Sequence, residues 1–152
     1  MAFVAEKDPG IIPQVLSKIL DSCVNGVTLA DPDLEDMPIV YANKAFEKIT
    51  GYRSEEVIGR NCRFLQGDDR DQEGRHQIRT AILDCQPVEV TLRNFRKNGE
   101  LFYNHLALTP LFDQDGKCIY YLGIQYDVTA QVQAENEIKR LSEALENIPK
   151  QK

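Results

Sequence analysis

The chain is poor in the residues from which metal and disulfide sites are made. Its 152 residues include two histidines and four cysteines. Cys23, Cys62, Cys85 and Cys118 are scattered, none forms a CxxC pair, and His76 and His105 stand too far apart to suggest a zinc site. Basic charge is in deficit: 18 Lys and Arg against 24 Asp and Glu give a net charge of −6. A general nucleic-acid or anionic-membrane binder needs a basic face, so neither partner is expected. No apolar run approaches the roughly 20 residues of a membrane span. The opening MAFVAEKDPG has no basic start followed by a long apolar core, so no secretory signal is expected and the cytoplasm is the expected compartment. There, each cysteine reads first as a reduced, buried, small hydrophobe.

What is present suits one soluble domain, 42% hydrophobic and 28% charged. Met1–Gly10 reads as a loose arm. Pro13 opens a helix with Val15, Leu16, Ile19, Leu20 and Cys23 at helical spacing. Strands are expected over Gly26–Ala30 and Ile39–Asn43, then a helix over Ala45–Thr50 closed by Gly51. Ser54 reads as the N-cap of a short turn through Ile58, and Gly59–Asp71 as irregular. A helix over Gln72–Cys85 puts Ile78, Ala81, Ile82 and Cys85 on one face. Strands follow over Val88–Phe95, Leu101–Pro110 and Cys118–Tyr126, turning at Asn98-Gly99 and Asp115-Gly116. Thr129 reads as the N-cap of a last helix running to Pro149. Two strands, helices and three more strands make an α+β domain, an antiparallel sheet with helices on one face. The divisions expected are an N-terminal arm and helix over 1–24, a ligand-binding domain over 25–128 and a C-terminal helix over 129–152.

Three carboxamides interrupt an otherwise apolar face. Asn94 alternates with Val90 and Leu92, and Asn104 with Phe102, Leu106 and Leu108. A two-residue loop at Asn98-Gly99 would send the two asparagines to opposite faces. A three-residue loop, Lys97-Asn98-Gly99, pairs Arg96 with Glu100 and unites them, and apolar patterning favours it. A two-residue Asp115-Gly116 loop then sets Leu106 opposite Gln125. Each amide alone could be a satisfied core residue. Three on one pocket instead suit a planar heterocycle with an imide edge, whose N–H and carbonyls match amide acceptors and donors. An isoalloxazine or a pterin fits. A haem does not, for want of an axial histidine.

Arg63, Arg70, Arg75 and Arg79 crowd the segment before the third strand, with Arg75 and Arg79 at i and i+4 on one helix face. Asp68, Asp69, Asp71 and Glu73 could compensate them as a solvated network. The alternative is a phosphate site, for which guanidinium forks are well shaped.

The segment Gly59-Arg60-Asn61-Cys62-Arg63-Phe64-Leu65-Gln66 resembles the GxNCRFLQ signature of light-oxygen-voltage (LOV) domains, a branch of the Per-Arnt-Sim (PAS) family. The likeness extends from about Val27 to Val128, through Asn43, Phe46, Thr50, Gly51, Tyr52, Ile78-Arg79, Leu92–Asn94, Phe102, Asn104 and Gly123–Gln125. It implies a PAS fold with a five-stranded antiparallel sheet, flanking helices and bound flavin mononucleotide (FMN). It also implies a blue-light photoreceptor in which the Cys62 sulfur bonds reversibly to flavin C4a. Asn61 and Gln66 would hold the ribityl chain and ring edge. Arg63 and Arg79 would hold the phosphate, with Arg70 and Arg75 as extra ligands. Asn94 and Asn104 would grip the imide edge, and Gln125 would face N5 and relay the signal by turning its amide. Thr28, Leu65, Ile78, Leu92, Leu106 and Gly123 complete the expected contacts. The arginine-rich run GDDRDQEGR is closer to bacterial short LOV proteins than to plant phototropins. Tyr103 stands where tryptophan is frequent and Leu106 where an aromatic is frequent.

In the last helix Ala134, Ile138, Leu141, Leu145 and Ile148 follow an a/d spacing over too few heptads for a firm coiled coil. The stripe could pack back on the sheet, or form a seam to a second copy together with the N-terminal helix; a homodimer is the favoured expectation. A signalling module, not an enzyme, is expected, either stand-alone or a piece of a longer receptor with an effector. A flavin-dependent thiol oxidoreductase and a light-indifferent PAS interaction module are the alternatives.

Overall fold

The computed structural model describes residues 11–150; the loose arm expected over Met1–Gly10 lies outside them. The elements run α1 (Ile11–Asp21), β1 (Gly26–Ala30), β2 (Ile39–Ala42), α2 (Lys44–Thr50), α3 (Ser54–Val57), a 3-10 turn (Cys62–Gln66), α4 (Glu73–Leu83), β3 (Val88–Phe95), β4 (Leu101–Phe112), β5 (Cys118–Asp127) and α5 (Thr129–Glu146). The five strands pair antiparallel in the order β2-β1-β5-β4-β3, so the first and last strands meet at the centre. This is the PAS fold, with α2, α3 and α4 gathered on the inner face of the sheet.

Local chemistry sets these boundaries. Asn43 ends β2 and caps α2: its Oδ1 accepts from the Phe46 amide at 3.0 Å and the Val27 amide at 2.8 Å. Its Nδ2 donates to the Leu20 carbonyl at 2.7 Å, so one buried side chain ties α1, β1 and α2 together. Gly51, at φ 78°, ends α2 in the left-handed conformation glycine tolerates. Ser54 and Thr129 are not caps as expected; each is the first helical residue. Glu56 accepts from the Arg53 amide at 2.8 Å ahead of α3. The Thr129 hydroxyl accepts from the Tyr103 amide at 3.0 Å and donates to Asp127, spending the side chain on anchoring α5 to β4.

The first hairpin adopts the three-residue loop: the Arg96 amide donates to the Glu100 carbonyl at 2.9 Å, Gly99 sits at φ 87°, and Asn94 faces Phe102. The second differs from expectation. The Asp113 amide pairs with the Lys117 carbonyl at 2.8 Å, which gives a three-residue loop, Gln114–Gly116. A bulge at Ile119 absorbs the extra residue, because Leu111 faces Tyr120 while Phe112 faces Cys118. Leu106 therefore still lies opposite Gln125.

Two apolar clusters bracket the inner face. Ile39, Ala42, Phe46, Val57 and Leu65 form one, and Val90, Leu92 and Leu106, backed by Ile78, form the other. A Cβ on Gly74 would lie 2.8 Å from Leu92 Cδ2, so the missing side chain lets α4 settle on β3. Gln72 stitches the edge of β3: its Oε1 accepts from the Arg93 amide at 2.8 Å and its Nε2 donates to the Arg93 carbonyl at 3.0 Å. The helix stops at Leu83, so Cys85 is exposed rather than on the apolar face of α4. No residue of α5 is buried; Ile138, Leu141 and Leu145 are 65%, 49% and 69% exposed, so the stripe does not pack back on the sheet.

Candidate functional site

Between the inner face of the sheet and α4 lies a cavity of about 340 Å³. β1 contributes Thr28, β3 Leu92 and Asn94, β4 Asn104 and Leu106, and β5 Tyr121 and Gln125. The 3-10 turn contributes Cys62, Arg63, Leu65 and Gln66, with Asn61 just before it, and α4 contributes Arg75, Ile78 and Arg79. Residues some 97 apart in sequence, such as Thr28 and Gln125, thus meet through the β1–β5 pairing.

The turn exists because Asn61 Oδ1 accepts from the Arg63 amide at 3.0 Å, capping the five residues that follow. Its tight pitch turns Cys62, Leu65 and Gln66 toward the interior. Phe64 packs edge-on against Tyr52, ring centroids 5.1 Å apart, under the Arg60 guanidinium. Sequence pattern gave no sign of this helix, since five residues carry no readable period. Burial pushes the Cys62 thiol up, against the weaker pull of its own backbone amide and Arg63, so the sulfur is protonated at neutral pH.

The carboxamides form two short runs of contacts with open ends. Asn104 Nδ2 donates to Asn94 Oδ1 at 3.0 Å, and Asn94 Nδ2 donates to the Arg93 carbonyl at 3.0 Å. Gln125 Nε2 donates to Thr28 Oγ1 at 3.1 Å. The oxygens left over, Asn104 Oδ1, Gln125 Oε1 and Gln66 Oε1, are buried without a partner. A buried unsatisfied acceptor costs about 1–3 kcal/mol, so three around one cavity indicate a place for a polar, planar ligand.

The arginines divide. Arg75 and Arg79 line the cavity, and among the described residues neither has a carboxylate within 4.0 Å. Their expected compensator Asp69 pairs instead with Arg93 on β3. Arg63 pairs with Asp36. Arg70 does not line the cavity; its Nε donates to the Gly67 carbonyl at 2.7 Å, and Arg75 donates to the Arg70 carbonyl at 3.2 Å. Gly123 is likewise behind the wall: a Cβ there would lie 2.6 Å from Thr28 Oγ1 and 3.1 Å from Gln125 Nε2. Asn61 reaches the wall, yet its Nδ2 is spent on the Asp36 carbonyl at 2.7 Å. Pattern reading missed Met37 and Tyr121, both lining the cavity, and Gly26, whose absent Cβ leaves 3.0 Å to Gln125 Oε1. Among the described residues no group of His, Cys, Asp and Glu could hold a metal ion, and no helix is long and apolar enough to cross a membrane.

A family model described as a PAS domain matches residues 24–130. A solved LOV domain from the blue-light activated histidine kinase of Erythrobacter litoralis is 48% identical, with a TM-score of 0.65 over 69% of this chain and 96% of that one. The chain belongs to the LOV branch of the PAS family. The LOV chain is also similar to a blue-light photoreceptor of Listeria innocua, 44% identical over 126 residues. That match takes in 83% of this chain and 49% of the relative, and the chain spans less than two thirds of the curated relatives that it first matches. A solved RNA-binding light-oxygen-voltage receptor superposes with a TM-score of 0.82 at 36% identity, over 94% of this chain and 40% of that one.

Proposed function

We propose that this LOV domain is the sensor of a blue-light receptor, that its cavity takes FMN, and that Cys62 makes a bond to the flavin in light and gives it up in darkness. The carrying observation is the trio of partnerless oxygens on Gln66, Asn104 and Gln125 around a cavity that also holds a protonated thiol. Bound there, a flavin supplies blue-light absorption and, once excited, a ring carbon able to take up a sulfur. Asn94 and Asn104 present an acceptor and donors to the imide edge, and Leu92, Leu106 and Ile78 enclose the ring. Arg75 and Arg79, lacking carboxylate partners, favour FMN over riboflavin. Cys62 contributes both its sulfur and its proton.

Gln125 then carries the change outward. Its Nε2 is bonded to Thr28 and its Oε1 lacks a partner; with flavin bound, the amide would turn about its own axis to keep a hydrogen bond when the neighbouring flavin nitrogen gains a proton. Two residues on, Asp127 accepts from Arg96 at 2.8 Å and holds Thr129, the first residue of α5. The exposed stripes of α5 and of α1, where Val15 and Ile19 are 49% and 55% exposed, support a second copy or an output segment as the receiver. Cys62 is the one cysteine lining the cavity, which favours a signalling module over a thiol oxidoreductase with a resolving thiol. The RNA-binding relative stands against excluding nucleic-acid partners across the family; the net charge of −6 speaks only for this segment.

The test is an equilibrium titration of the flavin-free chain with FMN and with riboflavin, read by flavin fluorescence. Saturable binding with FMN preferred is expected, and Asn104→Leu should weaken both ligands. No saturation with either flavin overturns the reading.

A further inference from the structure

Two cysteines that the photochemistry leaves unused flank Tyr121, one in the turn its hydroxyl reaches and one on its face of β5. At the end of α4 the Gln86 amide bonds back to the Ala81 carbonyl at 2.9 Å and the Cys85 amide to the Ile82 carbonyl at 3.3 Å. This closure needs a left-handed residue, normally glycine, and Cys85 fills the position at φ 51°. A side chain is held there against a local steric cost, the kind of outlier that accompanies a task. The Tyr121 hydroxyl donates to the same Ile82 carbonyl at 3.2 Å, so the phenol lies beside the Cys85 turn.

Cys118 arrives from the other side through the bulge. Side chains alternate along a strand, and an odd step of three would set Cys118 on the face opposite Tyr121. The bulge at Ile119 restores the match: Phe112 faces Cys118 while Leu111 faces Tyr120, which puts Cys118 on the inner face with Tyr121. Burial raises the Tyr121 pKa and the nearby thiols of Cys118 and Cys85 raise it further, while Cys85 in turn raises that of Cys118. Cys85 is exposed and Cys118 half-buried.

We infer that Cys85 and Cys118 are a redox pair that a hydroperoxide closes into a disulfide between α4 and β5. The exposed Cys85 sulfur attacks the peroxide, giving up two electrons; the O–O bond breaks, and Cys85 sulfenic acid and one water form with hydrogen peroxide as oxidant. The Cys118 sulfur attacks that sulfur, the S–S bond forms as the S–O bond breaks, and the hydroxide leaves with the Cys118 proton as a second water. The bond pins the end of α4 to the strand carrying Tyr121, and both Ile82 and Tyr121 wall the cavity. The pair does not depend on the cofactor.

The test is peptide mapping of the full chain without reductant, before and after hydrogen peroxide. Expected are the loss of two of the four free thiols, a linked Cys85–Cys118 peptide that dithiothreitol releases, and a thermal midpoint raised by roughly 5 °C or more. Cys85→Ser and Cys118→Ser should each abolish the link and the rise. Sulfinic acid at Cys85 with Cys118 still reduced, or a link through Cys23 or Cys62 instead, overturns the inference. The map of the unsubstituted chain decides the matter even if a variant folds poorly.

Discussion

Gln125 on β5 and Thr28 on β1 share a 3.1 Å hydrogen bond in the space that Gly123 leaves empty. The bond occupies the amide nitrogen and leaves the oxygen unpartnered. A methyl group at residue 123 would strike Thr28 Oγ1 at 2.6 Å, so Gly123→Ala should cost about 1–3 kcal/mol. Thr28→Val, which removes only the partner of Gln125 Nε2, should cost about 1 kcal/mol. Urea unfolding of the flavin-free chain measures both; a neutral Gly123→Ala would mean that the β1–β5 contact is looser than described.

Arg63 lines the cavity while it pairs with Asp36, so a flavin phosphate bound there would compete with that carboxylate. Removing the competing carboxylate should strengthen FMN binding, and Asp36→Asn is expected to lower the FMN dissociation constant severalfold. Arg75→Ala with Arg79→Ala should raise it at least tenfold, about 1.4 kcal/mol. Riboflavin binding should stay unchanged in all of them. Equal effects on the two flavins would remove the phosphate site from the account.

Asp127 joins the sheet to α5, and its titration has a defined sign. Burial pushes its carboxyl up, but the Thr129 hydroxyl and the Arg96 guanidinium outweigh burial and hold it below the ordinary carboxylate range. Because folding lowers this pKa, its stabilisation is complete above the unfolded value of about 3.9 and is lost as pH falls through the lower folded value. Asp127→Asn should therefore lower the thermal midpoint at neutral pH, with the gap to wild type closing only as the pH falls below the ordinary carboxylate range. A gap that persists in acid would contradict the assignment.

The sheet register, the shared face of Asn94 and Asn104, and the Leu106–Gln125 pairing were legible because alternation and turn residues report directly on which face a side chain takes. The Ile119 bulge was not: a loop one residue longer and a bulge that cancels it leave the same pairing downstream. The fates of Asp69 and Asp36 were also hidden. Each lies within a few residues of the arginine cluster or the loop facing it, yet only the fold decides that Asp69 takes Arg93 and Asp36 takes Arg63, freeing Arg75 and Arg79. Cys85 read as apolar because helical periodicity does not mark where a helix stops.

The stripe on α5 makes a separable prediction. Leu141 is 49% exposed on a helix with no buried residue, so Leu141→Glu should leave the unfolding free energy of the dilute chain within about 0.5 kcal/mol of wild type. If the stripe is the seam between two copies, the same change should convert a dimer into a monomer by sedimentation equilibrium. An unchanged dimer would place the interface elsewhere.

The role of the Cys62 sulfur is read most directly from the absorption spectrum of the FMN-loaded chain before and after blue light. The visible flavin band is expected to bleach, return in darkness, and do neither in Cys62→Ala at equal FMN occupancy. A wild-type spectrum that illumination leaves unchanged, or a variant that bleaches and recovers like wild type, would contradict it.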